Sequence, residues 1–181
     1  GQIAQAHGVP YLLDDCQAAG QVPIDVKALG CDFLSATGRK YLRGPRGTGF
    51  LYVKETWLDR LEPAMIDHFG APWVARDLYT VRDDARRFET WENSYALRAG
   101  LAAAIDYADQ IGIERIHKRI TTLADLTRAL LADMPAVMLR DLGNTQCGIV
   151  SFSVDGFDAP SLVTQMAAAG FAIGASDPAS T

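Results

Sequence analysis

The first third of the chain alternates short apolar runs with glycine and proline. Residues 9–14 (VPYLLD) are apolar and end in acid, the pattern of a buried strand whose C-terminal end carries a polar group. Gly20 and Pro23 break the next stretch, Val26–Leu29 predicts one helical turn stopped by Gly30, and residues 32–36 (DFLSA) predict a second strand. A polar loop, Thr37-Gly38-Arg39-Lys40, leads to the glycine-rich GPRGTG of residues 44–49 and then to a strand at 50–53. Strands joined by short helical or looped crossovers predict an α/β layer with a mostly parallel sheet.

Residues 54–61 have a helical pattern. Residues 62–88 have no clear period but carry Phe69, Trp73 and Tyr79, and a loop this long and aromatic is expected to be functional. Residues 92–109 are alanine-rich and helical. A second helix over 113–133 carries one stripe of Ile113, Ile116, Ile120, Leu123, Leu126 and Leu130, ended by Pro135. Strands at 137–139 and 148–154 flank the turn Gly143-Asn144-Thr145, and a helix at 159–169 with a last strand at 171–175 completes an α/β unit. A boundary near residue 110 divides residues 1–109, part of a sheet domain with its linking helix, from residues 110–181, part of a smaller α/β domain.

Composition narrows the class. Apolar residues make up 49% and charged residues 22%, an ordinary globular balance. The net charge of −5 lacks the basic footprint that nucleic acid needs. No apolar run is long enough to span a bilayer, and residues 1–8 have no secretory pattern, so neither membrane nor export is expected. Cys16, Cys31 and Cys147 are few, odd in number and unclustered, which argues against a disulfide framework and against a zinc site; a reducing cytoplasm is expected. The chain begins within a helical pattern and stops just after a strand-like one, so it is expected to be an internal piece of a longer protein.

Lys40 follows a strand directly, with Arg39 and Arg43 beside it and glycines behind. Most lysines are solvated surface charges. A lysine that bonds an aldehyde as a Schiff base must be deprotonated, however, and burial or a neighbouring cation favours that state. Thr37, Gly38 and Arg39 supply hydroxyl, backbone N–H and guanidinium donors for a phosphate. Asp14, at the end of a buried strand, suits the protonated ring nitrogen of pyridoxal 5′-phosphate (PLP); a turn cap is the alternative, and Asp15 is positioned for the same part. Gln17, three residues on, suits the ring's phenolic oxygen. GPRGTG lacks the G-K-[ST] ending of a phosphate-binding loop and precedes a strand, so a tight turn is expected rather than a nucleotide site.

Together these segments resemble the class V aminotransferase family, fold-type I PLP enzymes that include cysteine desulfurases. SATGRKYLRGPRGTGFLYV (residues 35–53) resembles the family's lysine segment, and YLLDDCQAAGQVPIDV (residues 11–26) its V-D-x-x-Q-x-x-G segment, in order and in register. The resemblance implies Lys40 as the Schiff-base lysine, Asp14 on the pyridinium nitrogen, Gln17 on the phenolic oxygen, and Thr37 and Arg39 near the phosphate. It also implies an amino-acid substrate and a homodimer at full length. Arg39 stands where many members have histidine. Residues 87–92 (RFETWE) resemble an isopenicillin-N-epimerase-like and hercynylcysteine sulfoxide lyase-like subgroup, with Trp91-Glu92 where others have glycine-threonine; the parts played by Thr90, Trp91 and His68 stay open.

Desulfurases carry their persulfide cysteine in a loop corresponding to residues 175–180, which reads ASDPAS here. Desulfurase activity is therefore expected to be absent. The three cysteines are expected to pack as small apolar groups, and His7 and His117 to lie on the surface. The chemistry expected is removal of the Cα proton by Lys40, then transamination, epimerisation or loss of a β-substituent. Rival readings are a non-catalytic or truncated domain of the same fold and a nucleotide-binding module built on GPRGTG.

Overall fold

The computed structural model describes residues 1–176. The chain forms two compact units, Gly1–His117 and Lys118–Thr181. The stretch expected to carry a cysteine-free loop, residues 177–180, lies outside the described residues. Among the described residues no helix is long and apolar enough to cross a membrane.

The first unit begins with α1 (Gln2–Ala6) and β1 (Leu12–Asp14). A turn then leads to α2 (Val26–Leu29), where Asp25 caps the N-terminus by accepting from the N–H groups of Lys27 and Ala28. β2 (Phe33–Thr37) pairs in parallel with β1, Leu12 opposite Phe33 and Asp14 opposite Ser35. β3 (Gly49–Val53) joins the other edge of β2 antiparallel. The expected mostly parallel sheet is thus represented among the described residues by one parallel pair. The link between β2 and β3, residues 38–48, carries no crossover helix and is shorter than a parallel crossover needs, so the chain returns antiparallel.

Ala19, Cys31, Leu34 and Ala36 form the buried core of this sheet, with Leu13, Val26, Leu42 and Tyr52 packed against it. Asp32 ties the strand ends together. It accepts from the Tyr11 N–H at 3.0 Å and lies 3.6 Å from the Lys54 ammonium; the Trp57 side chain, then the Tyr11 N–H and Lys54, hold its carboxyl below the usual range.

Residues 55–60 are 3-10 helical, and the unpatterned stretch contains an exposed hairpin, β4 (Trp73–Ala75) with β5 (Leu78–Tyr79). Asp67 holds this stretch together. Its carboxylate accepts from the N–H groups of Phe69 (2.8 Å), Gly70 (3.3 Å) and Trp91 (2.7 Å), while Arg82 donates to the Phe69 carbonyl. α3 (Tyr95–Ile111) comes next, and α4 (Ile113–Ala132) begins after Gly112 at φ +90°.

In the second unit β6 (Val137–Leu139) pairs antiparallel with β7 (Phe152–Val154), and α5 (Ala159–Ala168) is capped by Asp158. Residues 171–176 form no strand, contrary to the sequence pattern; Phe171 is 60% exposed, so burial does not enforce extended pairing there. The α4 stripe also differs from expectation. Leu123, Leu126 and Leu130 are exposed, and the buried face carries Ala124 and Arg128. Arg128 is fixed inward because it donates to Asp141 (2.8 Å), Asp125 (3.3 Å) and the carbonyls of Cys147 (2.9 Å) and Ile149 (2.8 Å).

Candidate functional site

Two segments distant in sequence meet at the carboxyl ends of β1 and β2, the position where open α/β sheets bind ligands. β1 ends at Asp14 and β2 at Thr37, so the pairing of Asp14 with Ser35 brings the acid beside the loop that carries Lys40. Asp14 is exposed. Hydrogen bonds from Cys16, its thiol and then its N–H (3.0 Å), hold the carboxyl below its usual range, and the Lys40 ammonium adds to the effect. These contacts favour the ionised form of Asp14.

Glycine lets the two segments touch. Gly20 has φ +92°, and a Cβ there would lie 2.6 Å from the Leu42 nitrogen and the Tyr41 carbonyl carbon. Only a residue without a Cβ lets the turn after Asp14 lie flat on the residues just past Lys40. The Lys40 loop is gripped from its other side as well. Gly38 donates to the Thr48 carbonyl at 2.8 Å and accepts from the Gly44 N–H at 2.7 Å, and a Cβ on either glycine would lie 2.8 Å from the Leu101 side chain of α3. Arg43 closes the loop with φ +61°, a left-handed conformation unusual outside glycine, and its guanidinium sits 5.1 Å from the Tyr107 ring centroid.

Of the candidate residues, Asp14, Thr37 and Lys40 gather at the strand ends; Lys40 is half-buried, and the Thr37 hydroxyl lies 3.5 Å from the Thr48 carbonyl. Gln17 and Arg39 are exposed on the two adjoining turns. Cys16, half-buried, faces the same acid: hydrogen bonding to Asp14, then burial, pushes its thiol up, which disfavours the reactive thiolate. Cys31 is 2% exposed, while Cys147 is half-buried in the second unit. The His68 ring packs at a tilt against Trp91, centroids 5.1 Å apart, within the segment organised by Asp67.

Two features escaped sequence reasoning. Asp15 is not an alternative to Asp14. It is 3% exposed, lines an apolar cavity of about 500 Å³ with Leu34, Tyr52 and Ile105, and leaves one carboxylate oxygen without a partner. Burial first, and then Asp14, push its carboxyl up. His117 is not a free surface group either, since its Nδ1 donates to the Gln21 carbonyl at 3.0 Å. Alternation along β1 signals the first, because successive side chains face opposite sides of a sheet; nothing local signals the second.

The family model for aminotransferase class-V matches residues 1–177. The chain belongs to the class V aminotransferase family. Among its relatives, a probable cysteine desulfurase of Methanothermobacter thermautotrophicus is 34% identical over 158 residues, covering 87% of this chain and 40% of that protein. The apo structure of a cysteine desulfurase from Thermococcus onnurineus NA1 superposes with a TM-score of 0.86 at 31% identity, over 94% of this chain and 43% of that one. The cystine C-S lyase C-DES, in complex with its reaction product cysteine persulfide, gives a TM-score of 0.77 at 28% identity over 84% of this chain and 41% of that one. A lysine-to-alanine variant of C-DES carries glycine covalently linked to its PLP cofactor. The chain spans about 40% of the length of the curated relatives it matches. Class V similarity to proteins of these names removes support for the expectation that desulfurase activity is absent.

Proposed function

We propose that this chain carries the lysine face of a PLP-dependent enzyme that acts on an amino acid, with C–S bond cleavage as the favoured outcome. The observation that carries the reading is the meeting of an ionised carboxylate and a lysine at the ends of two adjacent strands, Asp14 of β1 and Lys40 after β2, held in register by Gly20. The residues fit the cofactor: an aldehyde calls for an amine, a pyridinium for an ionised acid, and both face one strand end. Lys40 is the Schiff-base lysine, Asp14 keeps the ring nitrogen protonated, Gln17 contacts the phenolic oxygen, and Thr37 and Arg39 contact the phosphate.

PLP, when bound, supplies the electron sink that makes a Cα carbanion accessible. With the cofactor bound, Lys40 would take the Cα proton of the amino acid on Nζ. Where that proton is returned, or whether a β-substituent departs first, decides among transamination, epimerisation and elimination. The names of the relatives favour departure of a sulfur substituent. A homodimer and a cytoplasmic setting belong to the same proposal. Assignment of residues 1–109 to a large cofactor domain and 110–181 to a small domain is part of it too.

The test uses the full-length protein with added PLP. Borohydride is expected to fix the cofactor to Lys40, found by peptide mass, and Lys40→Ala to abolish both that label and turnover. Cysteine, cystine and other amino acids are then assayed for pyruvate, released sulfur, keto acid and inverted enantiomer. Absence of any label on Lys40 in well-folded protein supports the rival reading, a non-catalytic domain of this fold.

A further inference from the structure

Gln21 is among the most buried side chains in the chain, at 1% exposure. Burying a primary amide costs more than burying a leucine of similar size unless its hydrogen bonds are made. The geometry around it shows what this amide is for. The turn after Asp14 starts like a helix, with the N–H groups of Ala18 and Ala19 both donating to the Asp15 carbonyl. Gly20 then breaks it at φ +92° in order to lie against Tyr41 and Leu42. As a result the Gln21 N–H donates to the Ala18 carbonyl at 2.9 Å rather than to Gln17, its partner in a continuing helix. The Gln21 side chain takes over that bond, its Nε2 donating to the Gln17 carbonyl at 2.6 Å. His117 of α4 in turn fixes Gln21 by donating to its carbonyl at 3.0 Å.

We infer that Gln21 is a positioning residue that sets the backbone of Gln17, and through it the direction in which the exposed Gln17 amide meets the cofactor. The inference rests on the PLP reading proposed above. In this role Gln21 acts through the Gln17 backbone and not on the cofactor directly.

The experiment is a double-mutant cycle in the full-length protein with PLP, read by the pH midpoint of the near-visible absorbance band rather than by turnover. Two variants remove the donor, the flexible Gln21→Met and the shape-conserving Gln21→Glu, so that poor folding of one leaves the other. With Gln17 present, each is expected to shift the midpoint by about 0.5 pH unit, the size that loss of one modest hydrogen bond gives. In a Gln17→Ala background the same substitutions are expected to leave the midpoint where Gln17→Ala alone puts it. An unchanged midpoint with Gln17 present, or an equal shift in both backgrounds, overturns the positioning role while the cofactor reading stands. A wild-type protein that shows no band and no borohydride label overturns the cofactor reading and this role with it.

Discussion

Neighbouring acids take opposite states at the end of β1. Asp14 faces solvent and Cys16, which stabilise its charge; Asp15 points into an apolar cavity and resists ionisation. In the folded protein Asp15 keeps its proton to higher pH than it would in the unfolded chain. The stability it allows is therefore fully present below the ordinary carboxylate range and is lost as pH rises through the raised folded value. Asp15→Asn, which cannot ionise, is expected to match wild type in urea unfolding near pH 3 and to exceed it at pH 7. A stability difference that does not vary with pH would sink this account. Gly20 supplies the second residue-scale prediction. A Cβ there would sit 2.6 Å from the backbone after Lys40, at a φ that alanine avoids, so Gly20→Ala is expected to lose about 2 kcal/mol or more of stability and to weaken PLP binding.

At the scale of elements, α4 shows how polar contacts choose which face of a helix turns inward. Its leucines would pack more cheaply than an arginine, yet Arg128 is buried, because Asp141 and the carbonyls of Cys147 and Ile149 converge on its guanidinium. The Arg128 side chain is 9% exposed and the Asp141 side chain 10%. Removing the cation leaves a shielded carboxylate unpaired, so Arg128→Met is expected to cost about 3–5 kcal/mol by chemical denaturation. Arg140→Met, in which an exposed arginine loses one bond to Ser153, is expected to stay within about 0.5 kcal/mol. Similar losses for the two variants would show that the Arg128 clamp contributes little.

For the molecule as a whole, several large apolar side chains stand exposed on the surface. Trp73 is 75% exposed, Met65 78%, Leu142 91% and Ile3 80%. Exposed apolar area of this kind marks surfaces that other protein covers. The 181-residue chain is expected to bind a hydrophobic dye and to sediment with a mass that rises with concentration. A monodisperse, dye-silent chain would refute that.

Much of this was legible in the order of residues, and for local reasons. Runs such as 32–36 and 92–109 carry their own period, Asp25 and Gly30 cap the helical turn that precedes the first of them, and the spacing of Asp14, Gln17 and Lys40 with their glycines marks the family without reference to any contact. The parts decided only by tertiary structure are those where a distant partner sets the outcome. Arg128 is inside because of Asp141 and two carbonyls. Residues 171–176 are not a strand because most of them, Phe171 included, stay exposed. His117 is held by Gln21, and Asp14 and Asp15 are told apart by which side of the sheet meets a cavity. Local pattern determines which elements form and which chemistry is available; burial and long-range pairing determine which side chain is charged and which is hidden.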